Sequence, residues 1–318
     1  MALITPLLLQ LVQMALVLAI APLLAGLVRV LKARLQRRAG PPLLQFYRDL
    51  AKLIIKDAIV ATGTSWIYRA APYVIFAASW VSASLVPSFG TNLLFSWSGD
   101  LIVIVALLGT ARFCQMLAAL DLGTAFGGLG ASREAMFASL AEPAMLMIVF
   151  TVALIAGSSQ LSVIATFMHS GAAGLRLSLG LGLVALVIVA LAETGRFPVD
   201  NPATHLELTM VHEAMVLDYT GRHLALLDLA HALKLTLYMS LIACIFVPFG
   251  MAGPGAAPAS LALGLLAYLG KLVLGAVLLA IFETAIAKMR VFRVPNFIGA
   301  ALMLGLLGTL LLFVSATL

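Results

Sequence analysis

LSLGLGLVALVIVALAETGRFPVDNPATHLELTMVHEAMVLDYTG, residues 177–221, places two kinds of chemistry end to end. Residues 177–195 form an apolar run of about the length that crosses a hydrocarbon layer of about 30 Å. The thirty residues from Ala192 to Gly221 then carry Glu193, Arg196, Asp200, Glu207, Glu213 and Asp218, together with His205 and His212. Pro198 and Pro202 break any simple helical continuation between the two parts. Ionisable groups folded back against lipid-depth protein are costly, so this stretch is read as the working part and the rest as its scaffold.

The scaffold is apolar throughout. Of 318 residues, 63% are hydrophobic and 10% charged, more apolar surface than a soluble core requires. Eight apolar segments are expected to span a membrane: 3–28, 70–90, 101–120, 136–157, 177–195, 229–250, 260–282 and 295–316. The fold class is therefore an all-α polytopic membrane protein, one integral membrane domain over 1–318, with no room for a separate soluble domain.

The net charge of +6 is distributed by topology. Arg29, Lys32, Arg34, Arg37, Arg38, Arg48, Lys52, Lys56 and Arg69 lie between segments one and two. Arg133, Arg196, Arg222, Lys288, Arg290 and Arg293 follow segments three, five and seven. The opposite connections, 91–100 and 251–259, have no Lys or Arg, and 158–176 has only Arg176. The positive-inside rule makes the basic side cytoplasmic and puts both termini on the far side. This pattern argues against a nucleic-acid footprint.

Cys114 and Cys244 each sit alone in an apolar run, so the chain is not expected to ligate an iron–sulfur cluster or structural zinc. No basic residue precedes Arg29 and the first apolar run is longer than a signal-peptide core, so segment one is expected to stay.

After segment one, Gly40-Pro41-Pro42 opens a helical pattern over 43–57. Leu43, Phe46, Tyr47, Leu50, Leu53 and Ile54 share one face, while Arg48, Lys52 and Lys56 recur on another. That predicts an amphipathic helix on the cytoplasmic surface, either a lipid-surface anchor or a platform for a soluble partner. The glycine-rich LGTAFGGLGASRE lacks the strand context and Lys-Ser/Thr of a phosphate loop. Gly127, Gly128 and Gly130 are read as serving a tight turn or close packing.

Polar groups recur inside the later segments. Arg112 lies at mid-depth of segment three or snorkels toward Asp121. Glu134 and Glu142 share one helical face of segment four. Asp228, His231 and Lys234 make a stripe on segment six, where Asp228 and Lys234 could form a neutral pair, and Lys271 sits mid-way along segment seven. Each could be a packing pair. As a set they read as a polar track for ions or protons. His205 and His212 are seven apart, but without a third convergent ligand they read as ordinary hydrogen-bonded histidines, and no metal site is assigned.

AETGRFPVDNP resembles the AETxRxPxDxP segment of the membrane subunit shared by complex I, where it is subunit 1, and energy-converting hydrogenases, where it is the formate hydrogenlyase subunit 4 type. Gln45, Asp49, Lys52, Lys56 and Asp57 match that family's Q…D…K…K-[DE] pattern. Ala71-Pro72, Glu142, Asp218-Tyr219-Thr220-Gly221 and Lys271 support it in order.

Three features depart from the complex I members: a short Arg38-Ala-Gly-Pro41-Pro element, Ala203 in place of a Glu, and His231 in place of a Glu. They alter the quinone-facing surface and, with FETAIAKMRVFRVPNFIG and the GASRE loop, resemble the hydrogenase branch. Quinone binding stays as an alternative.

The resemblance implies a membrane anchor beneath a peripheral arm of hydrogenase-like large and small subunits and an iron–sulfur subunit, beside antiporter-like pumping subunits. [NiFe] and iron–sulfur centres are then expected in the partners. Proton relay or coupling falls to Glu142, Glu193, Asp200, Glu207, Glu213, Asp218, Asp228, His231, Lys234 and Lys271. Docking of the arm falls to Arg38, Gln45, Asp49, Lys52, Lys56, Arg196 and Arg222.

Overall fold

The computed structural model describes residues 4–61, 63–91, 93–171, 174, 176–200, 210–253 and 256–317. Eleven α-helices follow one another among them: α1 (Ile4–Leu35), α2 (Gln45–Ile55), α3 (Trp66–Leu85), α4 (Leu101–Asp121), α5 (Ala125–Ala156), α6 (Leu161–His169), α7 (Leu177–Glu193), α8 (His212–Val216), α9 (Gly221–Phe246), α10 (Pro258–Ala285) and α11 (Val294–Thr317). No strand occurs among the described residues, only two isolated bridges, Gly90 with Ala252 and Asp100 with Gln160. All backbone polar groups inside lipid must be satisfied internally, and helices meet that demand segment by segment.

Each of the eight expected segments corresponds to a helix. Six of these, α1, α4, α5, α9, α10 and α11, are long and apolar enough to cross a membrane; α7 is apolar but only 17 residues long. The helix α3, at 20 residues, carries Arg69, Tyr68 and three serines and is less apolar. It packs against α1, α4 and α9. Two helices start earlier than their hydropathy suggests. The helix α5 begins at Ala125 and takes in the glycine-rich stretch, and α9 begins at Gly221.

The central pillar is α9, which touches α1, α2, α3, α6, α7 and α10. Leu233, Leu237, Leu241 and Ile245 are fully buried along it against Ile148, Leu186 and Ile164 of its neighbours. Its hydroxyls are satisfied inside the bundle: Thr236 donates to the Ala232 carbonyl, and Ser240 lies 2.8 Å from the Tyr268 hydroxyl on α10.

Ends are fixed by capping. Ser65, Asp100 and Thr124 accept from Ile67, Ile102 and Gly127 backbone N–H groups at the starts of α3, α4 and α5. Glycine explains the early start of α5. A Cβ at Gly127 would lie 2.6 Å from the Ala119 carbonyl oxygen, and one at Gly130 would lie 2.9 Å from Met215. These glycines let α4 and α8 approach the first turns of α5.

The amphipathic helix is present but shorter than 43–57. Phe46 and Leu50 are buried, whereas Ile54 is 63% exposed, so its apolar face ends at Leu53. Arg29 stacks over the Phe46 ring at 5.2 Å, and the Tyr47 hydroxyl donates to the Ala19 carbonyl. The far end is tied to α9. Ile59 N–H donates to Thr220 Oγ1 at 2.9 Å, and Gly221 passes so close that a Cβ there would sit 2.6 Å from both the Lys56 and Asp57 carbonyls.

Candidate functional site: an ion-pair network at membrane depth

Arg112, midway along α4 and 5% exposed, is the centre. Its Nε lies 3.2 Å from Glu134 Oε1 and its Nη1 3.2 Å from Glu142 Oε1; its Nη2 contacts Glu193 Oε1. The planar guanidinium can serve three carboxylates at once, which a lysine could not. Two further groups join from other helices. Lys234 Nζ on α9 lies 2.7 Å from Glu193 Oε2, and His212 Nδ1 on α8 lies 3.4 Å from Glu134 Oε2. The Lys234 contact is at ion-pair distance but lacks hydrogen-bond alignment. Three carboxylates thus face two cations, Arg112 and Lys234, with a histidine alongside. By formal charge, three carboxylates against two cations leave one net negative charge in the network, beside which His212 stands.

Backbone geometry sets these positions. Glu193 is the last residue of α7, and the turn after it places Gly195 at φ +54°, with room for a Cβ taken by the His212 ring at 2.5 Å. The turn continues through a cis Phe197–Pro198 peptide. Pro198 accepts from Met289 N–H at 2.9 Å, which fastens this segment to the α10–α11 connection.

A second group of charges lies toward the basic end. Glu283 receives Lys32 at 3.0 Å and Arg196 at 3.2 Å, and Asp200 receives Lys288 at 3.0 Å. Lys32 also sits 4.2 Å from the centre of the Phe197 ring. Burial lowers the Arg196 guanidinium from its ordinary value, and the Glu283 carboxylate opposes that shift. Glu283→Gln would leave Lys32 and Arg196 facing each other without a carboxylate. We expect a loss of about 2 kcal/mol in stability, the ordinary worth of charged hydrogen bonds, read as a lower melting temperature of the purified assembly.

A cavity of about 710 Å³ joins the two groups. It opens between α1, α2 and the segment after α7, with Arg38, Pro41 and Phe46 at one side and Arg196 and Asp200 at the other. It runs inward past Glu213, Asp228 and His231 to Arg112, Glu193 and Lys234. His231 lies deep in the bundle yet is accessible, because its ring opens on this cavity.

The expected relay residues divide accordingly. Glu142, Glu193 and Lys234 are in the network; Asp200, Glu213, Asp228 and His231 line the cavity. Lys234 pairs with Glu193 and not with Asp228, because six residues along a helix turn a side chain well away from the starting face. Asp218 is exposed and accepts from Thr124 Oγ1 at 3.2 Å. Lys271, on α10, stands apart, belonging neither to the ion pairs of the network nor to the lining of the cavity. Glu207 and His205 fall outside the described residues. Among the docking residues, Arg38, Lys52, Lys56 and Arg222 are exposed, Gln45 donates to Asp49 at 2.8 Å, and Arg196 is engaged by Glu283.

Sequence reading placed Arg112 and Glu134 in the polar track without giving either a relay role, and did not assign Lys32 or Glu283 to the site. The signal available for Arg112 was a cation in mid-segment, and for Glu134 its eight-residue spacing from Glu142. Beside Asp218, Tyr219 locks the start of α9: its ring stacks on Tyr68 at 4.2 Å and its hydroxyl donates to the Tyr68 carbonyl at 3.0 Å. Burial pushes that phenol up from its ordinary value, so it stays protonated as a donor. Among the described residues no group of three His, Cys, Asp or Glu could hold a metal ion; the cation at the centre of the carboxylates is a guanidinium.

A helical bundle with a buried ion-pair network, reached by a polar cavity from its basic end, is the architecture of an integral membrane protein with a polar interior. The chain belongs to the NADH dehydrogenase family of membrane subunits, that of complex I subunit 1 and formate hydrogenlyase subunit 4, with the family match running over residues 8–314. It is 32% identical to formate hydrogenlyase subunit 4 of Escherichia coli K12 over 90% of this chain and 92% of that one. It is 34% identical to hydrogenase-4 component C of the same organism, over 88% and 87%. A subunit of the NADH-quinone oxidoreductase of Salinibacter ruber is 29% identical over 66% of this chain and 63% of that one. In fold, a chain of the membrane-bound sulfane sulfur reductase, an archaeal respiratory membrane complex, superposes with a TM-score of 0.80 over 98% of this chain and 99% of that one, at 22% identity. The resemblance read from AETGRFPVDNP is borne out.

Proposed function

We propose that this chain is the membrane subunit that anchors a peripheral hydrogenase-like arm and couples its electron transfer to proton or sodium translocation. On this reading the arm's large, small and iron–sulfur subunits sit over α2 and the segment after α7, and the [NiFe] and iron–sulfur centres are theirs. The basic end faces the cytoplasm of a bacterium or archaeon, and both termini face away from it. The observation that carries the reading is the Arg112 network, reached by a cavity from the basic end and ending at Glu142. Glu142 is in contact with Arg112 yet its side chain is 46% exposed on the rim of the bundle. A proton entering by the cavity can pass Asp228 and His231 and neutralise a carboxylate that shares Arg112, which frees the guanidinium to shift its hold between Glu193, Glu134 and Glu142, so that Glu142 feels the change without a proton crossing the arginine. Glu142 would then pass that change to an antiporter-like neighbour. A carboxylate left half open at membrane depth calls for such a neighbour.

The test is Glu193→Gln and Glu142→Gln in the assembled complex. Ion translocation should fall to background while redox turnover in detergent persists and the soluble subunits stay bound. Retained pumping removes the relay role; detachment of the arm in both variants favours a purely structural anchor.

A second reading has one observation in its favour. The cavity lies between α2 and the segment after α7, where a quinone site of complex I type would be required. Its inner wall of Arg112, Glu193 and Lys234 suits water and protons better than an isoprenoid tail. Quinone-analogue inhibition of turnover would favour that reading.

A further inference from the structure

On an outer face of the bundle, where Val184 and Ile286 are exposed, a second hollow of about 560 Å³ lies between α7, the Pro198 turn and the junction of α10 with α11. Every residue that lines it is apolar, among them Leu183, Val187, Leu191, Phe282, Met289 and Phe297. From Leu183 to Leu191 the wall runs about 12 Å along the helix axis, comparable to a substantial part of one acyl chain. Helix partners in membranes prefer walls of small residues that let backbones approach. This wall is made of branched and aromatic side chains, which suit a flexible chain instead.

The end of the groove toward the basic side carries charge. Arg290 directly follows Met289 of the wall, and Arg293 stands four residues before Phe297. Both guanidiniums are exposed, and neither forms an ion pair among the described residues, whereas the nearby Lys288 is engaged by Asp200. Phe292 between them is 92% exposed, the placement of an aromatic side chain at a membrane–water boundary. We infer that this groove binds an anionic phospholipid, one acyl chain between α7 and α10 and the phosphate between Arg290 and Arg293. The bidentate fork of arginine matches a phosphate, and the basic mouth complements its charge.

The experiment uses the full chain in its purified native complex, delipidated and titrated with phosphatidylglycerol or phosphatidylcholine, with retained lipid counted by native mass spectrometry. Wild type should retain one more phosphatidylglycerol than an Arg290→Ala/Arg293→Ala variant at lipid concentrations near half-saturation. That double variant should bind this lipid about 30-fold more weakly, from the ordinary worth of two basic residues at an anionic surface. Val187→Trp, which fills the groove and leaves the charges, should lose the same lipid. Glycerol phosphate, a headgroup without chains, should not compete. Equal retention of phosphatidylcholine, competition by glycerol phosphate, or unchanged retention in both variants would overturn the assignment.

Discussion

Arg112→Met is expected to give the largest single loss in this chain. It leaves Glu134, Glu142 and Glu193 converging on a site from which the shared cation has gone, with only Lys234 on the far side of Glu193. Removing one partner from a buried ionic group costs about 3–5 kcal/mol, because the remaining charge stays without compensation. The bundle can recover part of this by taking up protons, so ion translocation should be abolished even where the protein still assembles. Arg112→Lys separates charge from shape: a point charge can approach one or two of the carboxylates but cannot fork to three. It should assemble close to normally and translocate poorly. The measurements are the melting temperature of the purified complex and ion uptake in proteoliposomes. A methionine variant that pumps like wild type would show that the network is not on the path.

The second large effect is expected at Gly221. Its φ of +56° lies in the left-handed region, and two carbonyls of the chain leaving α2 stand 2.6 Å from where a Cβ would be. Gly221→Ala should cost about 3 kcal/mol, combining the left-handed penalty for a side chain with the displacement of rigid backbone. The loss should be local before it is global. Protease sensitivity should appear first between Lys56 and Ser65, since the Ile59–Thr220 hydrogen bonds go with it. A variant with unchanged melting and unchanged cleavage would show that α2 is held by its buried Phe46 and Leu50 alone.

Both effects turn on contacts the linear chain conceals to different degrees. The eight apolar segments were legible because lipid imposes length and composition on each helix separately. The surface helix and the shared face of Glu134 and Glu142 were legible because helical periodicity is local. Arg112 was not recognised as the hub: Glu134 and Glu142 lie on the next helix, but Glu193 comes from the end of α7 some eighty residues on, and from sequence a mid-segment arginine reads equally as a snorkelling one. The first turns of α5 were not legible, because Gly127 and Gly130 read equally as a tight turn or as close packing, and it is the packing they serve. The clustering of Lys32 and Arg196 on Glu283 joins the last turns of α1 and α10 to the turn after α7, which only the folded bundle brings together.

Glu142, left partly uncovered beside Gly109, also bears on how copies of the chain are handled before they find their place. A newly inserted, solitary copy would present an acidic group to hydrocarbon, a blemish that any finished assembly would mask. Such copies should be short-lived in cells lacking the neighbouring gene products, and Glu142→Leu should lengthen their survival while removing their usefulness.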